Sequence, residues 1–243
     1  MVNLVLSEFM KLKRNKMFLI SILGCFAVPL LILLMLLKEL ADNSYNTFEI
    51  VFNNSLMYFM MLVGFMVFSV VCGYLFNREQ SENTLKTILT IPVSRSKYLI
   101  SKFIMLFIWV LFLCVITWLG TVLVGFLGQA TDFKIISALK CLGKYLLGGT
   151  LHFCILSSLA FATLLLKNIV SVMVITIVLG LINVCILNDA LAVLFPWSSI
   201  YLIVMGDITY FSDYPMWLSF AIIGAVSILG FIASFVYFKK QDV

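Results

Sequence analysis

The sequence predicts an all-α integral membrane protein, because most of its residues are apolar and few are charged. Of its 243 residues, 63% are hydrophobic and 11% are charged, and the mean hydropathy is +1.17. Soluble domains are about 45–50% apolar, so a soluble fold is excluded. The polar segments are too short to form a second folded unit, and residues 1–243 are predicted to form a single transmembrane domain.

Six apolar runs are each long enough to cross a bilayer. A hydrocarbon core about 30 Å thick needs about 20 helical residues. The predicted transmembrane helices cover residues 17–37, 56–76, 103–127, 145–166, 169–187 and 216–238. Only Lys167 and Asn168 separate the fourth run from the fifth. The alternative is that these two runs form one re-entrant element, which would place the C-terminus outside.

Positive charge predicts a multi-pass protein of the cell membrane with both termini in the cytoplasm. Lysine and arginine concentrate on the cytoplasmic side of membrane proteins. With six crossings, twelve of the 16 lysines and arginines share the side of the N-terminus, and four lie on the other side. Because these charges gather where helices leave the bilayer, the expected partner of the net charge of +5 is membrane lipid and not nucleic acid.

Residues 1–16 are predicted to form an interfacial helix. The apolar residues at helical spacing are Val2, Val5, Leu6, Phe9 and Leu12. The opposite, polar side carries Asn3, Ser7, Glu8, Lys11 and Arg14. An amphipathic helix of this kind lies on the inner membrane surface. The alternative is a basic flank that only sets the orientation of the first span.

The most informative polar segment covers residues 77–102, between the second and third predicted spans. It reads NREQSENTLKTILTIPVSRSKYLISK. Ser81 can cap a short helix, and Pro92 ends that helix. The apolar stripe of the helix consists of Leu85, Ile88 and Leu89. Ser94 offers a second cap, from which the third span can begin below the membrane surface.

This short helix is compatible with two roles. Its apolar stripe can enter a groove of a cytoplasmic partner while the surrounding charges fix the register. It can also rest on lipid headgroups, and the residues alone leave both roles open. The flanking charged residues are Arg78, Glu79, Glu82, Lys86, Arg95 and Lys97.

The segment 188–215 is predicted to be external and to form a re-entrant or interfacial helical pair before the last span. Its middle, residues 190–205, is too apolar for a free loop and too short for a full span. Trp197, Tyr201 and Tyr210 suit the depth of the headgroups. The segment can cap an outward exit, or it can simply pack against the bundle.

The spans offer no cluster of residues that could catalyse a reaction or bind a metal ion. We predict that His152, the sole histidine, is hydrogen-bonded inside the bundle, and a proton site is the alternative. Polar residues that can bond between helices, or line a translocation path together with His152, are Thr117, Thr121, Thr176 and Asn183. The six cysteines show no metal-ligand spacing and predict no disulfide framework.

No nucleotide-binding loop is present in the sequence. The pair Gly143-Lys144 lacks the preceding glycine and the following serine or threonine of such a loop. Any ATP must therefore bind to a partner.

The loop after the second span carries several short motifs: Arg78-Glu79, Thr84-Leu85, Leu89-Thr90, Pro92 and Ser94-Arg95. With these motifs the loop resembles that of the membrane permeases of type-2 ATP-binding-cassette (ABC) exporters, which include bacterial bacitracin and lantibiotic self-protection transporters. Asn83 stands where that family usually has glycine. The order of elements agrees over the whole chain: a surface helix, six spans, a hairpin after the second span and a re-entrant segment before the last.

The resemblance implies a transport subunit that is not itself an enzyme. A coupling helix at residues 81–91 would sit in a cleft of a separate ATPase subunit, and that partner would bind ATP and Mg while this chain binds no cofactor. A second copy or a related permease would complete a dimer. The residues implied in coupling to the ATPase are Arg78, Glu79, Glu82, Thr84, Leu85, Lys86, Ile88, Leu89, Pro92 and Arg95.

Three classes of function are considered for the chain. An exporter permease fits best, and its nearly uncharged spans favour a hydrophobic or amphipathic substrate such as an antimicrobial peptide; sodium or a lipid-linked molecule is the alternative cargo. A membrane scaffold or sensor that binds a cytoplasmic partner and moves nothing is the second class. A membrane enzyme is disfavoured, because the spans lack a catalytic cluster.

Overall fold

The computed structural model describes residues 2–13, 16–42, 45–81, 94–186, 190–206 and 214–240. Within these ranges the chain is helical apart from short connections. We number the α-helices in chain order as α1 (Val2–Lys13), α2 (Met17–Ala41), α3 (Phe48–Tyr58), α4 (Gly64–Ser81), α5 (Arg95–Leu127), α6 (Ile135–Leu166), α7 (Ile169–Ile186), α8 (Pro196–Met205) and α9 (Met216–Lys240). A π-helical segment, Phe59–Val63, joins α3 to α4, and a 3-10 turn, Ala190–Val193, precedes α8.

Six helical segments in the described ranges are long and apolar enough to cross a membrane. They are α2, the continuous α3–α4 segment, α5, α6, α7 and α9. This confirms the prediction of an all-α chain with six candidate spans. α6 and α7 are separate helices that meet at Lys167, whose φ of 51° ends α6 in the left-handed conformation. The chain thus turns sharply here, as a helical hairpin of two spans requires, and the choice between two spans and one re-entrant element stays a prediction.

Several helices extend beyond the apolar runs from which they were predicted. The segment containing α3 begins at Phe48 and α6 begins at Ile135, well before the predicted positions 56 and 145. Hydropathy marks the part of a helix that lies in hydrocarbon, whereas helix ends depend on caps and turns. One consequence is that Cys141, which falls between the third and fourth predicted spans, is a buried residue of α6.

α6 lies at the centre of the bundle, where it packs against α4, α5, α8 and α9. Tyr145 of α6 and Trp109 of α5 are among its largest fully buried side chains, and the ring of Phe59 lies 5.2 Å from that of Tyr145. The first span, α2, packs mainly on α5. The fifth span, α7, packs mainly on α4 and leaves much of its surface exposed.

At the end of the bundle opposite to α1, two connections are joined by backbone hydrogen bonds. The amide of Phe48 donates to the carbonyl oxygen of Thr131 at 3.0 Å, and the amide of Thr131 donates to that of Asn46 at 2.9 Å. The connection between α2 and α3 is thereby fixed to the connection between α5 and α6.

The described part of the predicted re-entrant segment is short, apolar and packed into the bundle. α8 has 10 residues, begins with Pro196 and is capped at its C-terminus by Gly206, whose φ is 77°. Ile200 and Leu202 are buried, and α8 packs against α6 and α9. A helix of this length cannot cross a bilayer. Its depth in the membrane stays a prediction, and Tyr210 lies outside the described residues.

Gly230 of α9 sets the distance between α9 and α6. A Cβ atom at this position would lie 2.5 Å from Ser157 Oγ and 2.5 Å from the backbone nitrogen of Ser158. Ser157 Oγ also lies 3.0 Å from the carbonyl oxygen of Ser227 on α9. The backbone of α6 cannot move aside without separating the two helices, so a small residue is required here.

Gly230→Ala is therefore expected to lower the thermal unfolding midpoint of the purified protein, because overpacking costs about 1–3 kcal/mol. Gly224→Ala on the same helix is the matched control, since in the described part of the chain no atom beyond its own helix backbone and chain neighbours lies within 4 Å of its would-be Cβ. The control is expected to be neutral or stabilising by up to about 1 kcal/mol. Equal midpoints for the two variants would show that the contact at Gly230 does not hold α9 in place.

Candidate functional site

A buried cluster of charged side chains lies where α1, α4 and α5 meet. The amine of Lys102 lies 2.5 Å from the carboxylate of Glu79 and 3.6 Å from that of Glu8. The amine of Lys11 lies 2.6 Å from Glu8 and 3.4 Å from Glu79. Glu8, Glu79 and Lys102 are each only 3% exposed. These two lysines and two glutamates, which we call the ion cluster, neutralise one another.

Lys102 occupies the centre of the ion cluster. Its amine also donates to the carbonyl oxygen of Leu75 in α4. The rings of Tyr98 and Phe76 lie 5.3 Å and 6.0 Å from the same nitrogen. An ammonium group in such apolar surroundings is tolerated only when its charge is matched and its hydrogens are bonded. The two carboxylates and the carbonyl meet both requirements.

Lys11 lies at the open edge of the ion cluster, with its side chain 33% exposed. Burial alone would lower its pKa, but the hydrogen bond and charge of Glu8, together with those of Glu79, raise the pKa above the usual lysine value. A raised pKa means that the stabilisation is complete below the usual lysine pKa and is lost only as the pH rises through the raised value. Lys11 therefore stays charged at physiological pH.

The ion cluster brackets residues 82–93. Glu79 lies in the last turn of α4, Lys102 lies near the beginning of α5, and α1 contributes a partner to each of them. The end of α4 and the beginning of α5, which flank residues 82–93 and which we call the stems of the hairpin, are thus fixed to each other and to α1. A shift of the hairpin relative to α1 must break ion pairs in a buried place, so the three helices are expected to move together.

The beginning of α5 agrees with the prediction, and the end of α4 differs from it. Ser94 is the N-cap of α5, and its Oγ accepts from the amide of Lys97 at 3.4 Å. Ser81, predicted to cap a new helix, is the last residue of α4, and its hydroxyl donates to the carbonyl oxygen of Arg78 at 2.8 Å. A serine in the last turn of a helix bonds back to its own helix in this way.

The structure describes three of the ten predicted coupling residues. The guanidinium of Arg78 lies 5.8 Å from the ring of Tyr74. Glu79 belongs to the ion cluster, and Arg95 donates to the carbonyl oxygen of Lys239 at 3.3 Å. The predicted residues Glu82, Thr84, Leu85, Lys86, Ile88, Leu89 and Pro92 lie outside the described residues.

The threonines predicted to line a translocation path are buried within the bundle. Thr121 Oγ1 lies 2.7 Å from Ser55 Oγ, which in turn lies 2.7 Å from the hydroxyl of Tyr145. This chain of hydroxyl groups joins α3, α5 and α6. Thr117 and Thr176 each donate to a carbonyl oxygen of their own helix. A role of these threonines in transport stays a prediction.

His152 and Asn183 are held by the π-helical segment between α3 and α4. A π-turn is wider than an α-turn and leaves carbonyl oxygens that can accept from other groups. The amide of Asn183 donates to the carbonyl oxygen of Met61 at 2.7 Å. The ring nitrogens of His152 lie 3.2 Å from the carbonyl oxygen of Met60 and 2.8 Å from that of Gly148. The prediction that His152 is hydrogen-bonded inside the bundle is confirmed, and a transport role for either residue stays a prediction.

Sequence reasoning missed Glu8 and Lys102 as members of a site. Glu8 is predicted to lie on an exposed polar face of α1, and this is wrong because the structure buries it. The outward face of α1 is apolar instead, with Leu6, Phe9 and Met10 being 56%, 38% and 52% exposed. One signal for Lys102 was available, since a lysine within the apolar run after residue 98 needs a carboxylate partner.

The fold and the ion cluster define a class of protein: a multi-pass membrane protein in which the ends of α4 and α5 that flank residues 82–93 are fixed to each other and to α1. Comparison with known proteins then gives the family. The profile of the ABC-2 family transporter proteins matches residues 4–183. The bacitracin transport permease protein BCRB of Bacillus licheniformis is 37% identical over 196 residues, which cover 81% of this chain and 93% of that protein. No solved structure matches the chain.

The chain therefore belongs to the ABC-2 family of transporter proteins, and it is a membrane permease. The resemblance inferred from the loop motifs is confirmed. As the permease, this chain is the membrane subunit of such a transporter and not its catalytic subunit. Membership of an ABC family implies an ATPase partner.

Proposed function

We propose that this permease forms the membrane path of an ATP-driven exporter that moves an amphipathic antimicrobial peptide outward. The observation that carries the proposal is the 37% identity, over 81% of the chain, to a protein named as a bacitracin transport permease. The spans support it physically, because each contains an 18-residue stretch with at most two charged residues, which leaves few groups that would bind an inorganic ion. ATP and Mg are bound by the partner ATPase.

The segment 82–93 is the proposed docking element for that ATPase. Glu79 and Lys102 hold its two stems, and the buried ion cluster connects them to α1. When the ATPase moves the hairpin, the long helices α4 and α5 transmit the movement into the bundle. Because the ion cluster also connects α1 to these two helices, α1, α4 and α5 move together.

Both termini are proposed to face the cytoplasm, on the side of the hairpin. The bond from Arg95 to Lys239 places the beginning of α5 beside the end of α9, and the bond from Lys11 to Glu79 places α1 at the same end. Twelve of the 16 lysines and arginines belong to segments at this end. The exposed side chains of Leu6, Phe9 and Met10 support α1 as an interfacial helix.

A second permease is proposed to complete the transport path, because six spans form half of the path in a two-permease exporter. The exposed apolar face of α7 suits this contact, with Val170, Val174 and Leu181 being 59%, 55% and 59% exposed.

At the end of the bundle opposite to the hairpin, α8 and the 3-10 turn form the proposed re-entrant segment near the exit.

Inverted membrane vesicles that contain the permease and its ATPase provide the test. We expect ATP to drive labelled bacitracin into the vesicles, and a non-hydrolysable ATP analogue to leave it outside. ATP-dependent sodium accumulation without peptide accumulation would overturn the choice of cargo. If the ATPase binds the membranes and no solute moves, the chain is a scaffold and the exporter proposal is wrong.

A further inference from the structure

A groove on the outer surface of the bundle lies between α5, α6 and α9. Its volume is about 330 Å³, within the range of about 300–1,000 Å³ that is typical of ligand pockets. Its walls are formed by isoleucines and by five aromatic rings, those of Phe103, Phe107, Phe153, Phe231 and Phe235. With a lining of this kind, the groove suits a ligand part that has no polar atoms.

The rings that line the groove hold one another in place. The ring centroids of Phe103 and Phe231 lie 4.8 Å apart, and those of Phe107 and Phe153 lie 5.0 Å apart. Phe103 also packs against Phe76 of α4 at 4.9 Å. Tilted and edge-to-face contacts at these distances are favourable. The groove is therefore formed before any ligand arrives, and filling it does not require the helices to separate.

Basic residues lie at one end of the groove. On α5, Lys97 precedes Ile100 and Ile104 at helical spacing and so lies on the same face. On α9, Lys239 follows Phe235 by one helical turn. Lys97 and Lys239 are exposed, and the bond from Arg95 to the carbonyl oxygen of Lys239 joins the two helix ends.

The depth of the groove matches the shape of a lipid. At about 1.5 Å per residue, Phe235 lies about 6 Å deeper than Lys239, and Ile104 lies about 10 Å deeper than Lys97. The positive charges are thus at the level of a headgroup, and the apolar walls are at the level of acyl chains. We propose that this groove binds an anionic phospholipid, with one acyl chain between the rings and the phosphate between Lys97, Lys239 and Arg95.

Charge favours this occupant over a second copy of the chain. The end of the bundle that carries Lys97 and Lys239 also carries Lys16 and Lys240, so two copies meeting here would bring like charges together. An anionic headgroup neutralises these basic residues instead. The inference requires only that the chain spans a membrane, and it does not depend on the proposed cargo or on the ATPase.

Spin-labelled lipids measure this site in the purified, reconstituted permease. We expect phosphatidylglycerol to be immobilised more strongly than phosphatidylcholine. In the variant Lys97→Gln/Lys239→Gln the preference is expected to fall by up to about 25-fold, since each of the two basic residues near the surface contributes about fivefold. Lys167→Gln removes the same charge at the turn between α6 and α7 and is expected to keep the preference. Equal binding of the two lipids by the unmodified protein would overturn the proposal.

A second pair of variants tests the groove itself. Ile104→Trp fills the groove and is expected to reduce the immobilised phosphatidylglycerol, while Leu229→Trp, on a 68% exposed position of α9, is not. Thermal unfolding confirms that both variants fold. Unchanged lipid binding in Ile104→Trp would contradict the proposal. The proposal would also be contradicted if light scattering shows that Ile104→Trp dissociates a dimer while lipid binding persists, because the groove would then be a subunit contact.

Discussion

Lys102→Met is expected to destabilise the permease by about 3–5 kcal/mol, because it leaves Glu79 buried beside a side chain that cannot neutralise it. Among the described residues, the cation that remains paired with Glu79 would be Lys11, whose amine is 3.4 Å away and whose side chain is partly exposed. Methionine fills a similar volume, so the loss reports the charge and its hydrogen bonds more than the packing. The effect is measured as the shift of the unfolding midpoint in detergent.

Two further variants separate the ion cluster from a general loss of charge. Lys97→Met removes an exposed lysine from the same helix and is expected to change stability by less than about 0.5 kcal/mol. Glu79→Gln/Lys102→Gln removes both charges and leaves the pair of Glu8 and Lys11, at 2.6 Å, intact. This double variant is expected to recover most of the lost stability. If Lys102→Met and Lys97→Met have the same unfolding midpoint, the ion cluster does not stabilise the attachment of the hairpin to α1.

Leu85→Asp is expected to abolish the rise in ATPase rate that the permease induces in its partner. An aspartate in an apolar cleft loses its hydration without gaining a cation, and apolar anchors of this kind typically contribute about 2 kcal/mol or more to an interface. Binding of the ATPase should weaken by about thirtyfold. Leu89→Asp is expected to act in the same way, since both leucines belong to the predicted stripe.

Thr87→Asp is the matched control for this prediction. It adds the same charge to the same predicted helix, where two residues correspond to a rotation of about 200° from Leu85, away from the predicted stripe. We expect it to retain the stimulated ATPase rate. Because all three positions lie in the proposed docking element, we expect the three variants to unfold at the midpoint of the unmodified protein. Equal stimulation by Leu85→Asp and Thr87→Asp would show that the stripe does not contact the ATPase.

The sequence was sufficient to predict the spans, because each depends on a local property. An uninterrupted apolar run must be a helix in hydrocarbon, and α2, α5 and α9 follow from their own residues. The cap at Ser94 is equally local, since its hydroxyl and the amide it accepts from lie three residues apart. The family followed from short motifs around Arg78 and Pro92, which stand in a fixed order.

The ion cluster could not be predicted in the same way, because it joins three segments that are far apart in the chain. Glu8 and Lys102 become partners only when α1 folds back against α5. The periodicity of α1 is also ambiguous, since its apolar residues extend over more than one face, and the structure buries Leu12 while exposing Leu6. The π-helical segment is invisible in the hydropathy, and with it the carbonyl oxygens that His152 and Asn183 contact.

The docking of the hairpin on the ATPase is tested most directly by crosslinking. A cysteine placed at position 85 of a permease whose native cysteines are replaced, together with the ATPase in native membranes, is treated with a short thiol-to-amine reagent. We expect a permease–ATPase product that changes in yield between ATP and ADP, and no reaction of this cysteine with a membrane-impermeant thiol reagent added to intact cells. Labelling from outside the cell, without any crosslink to the ATPase, would contradict the account.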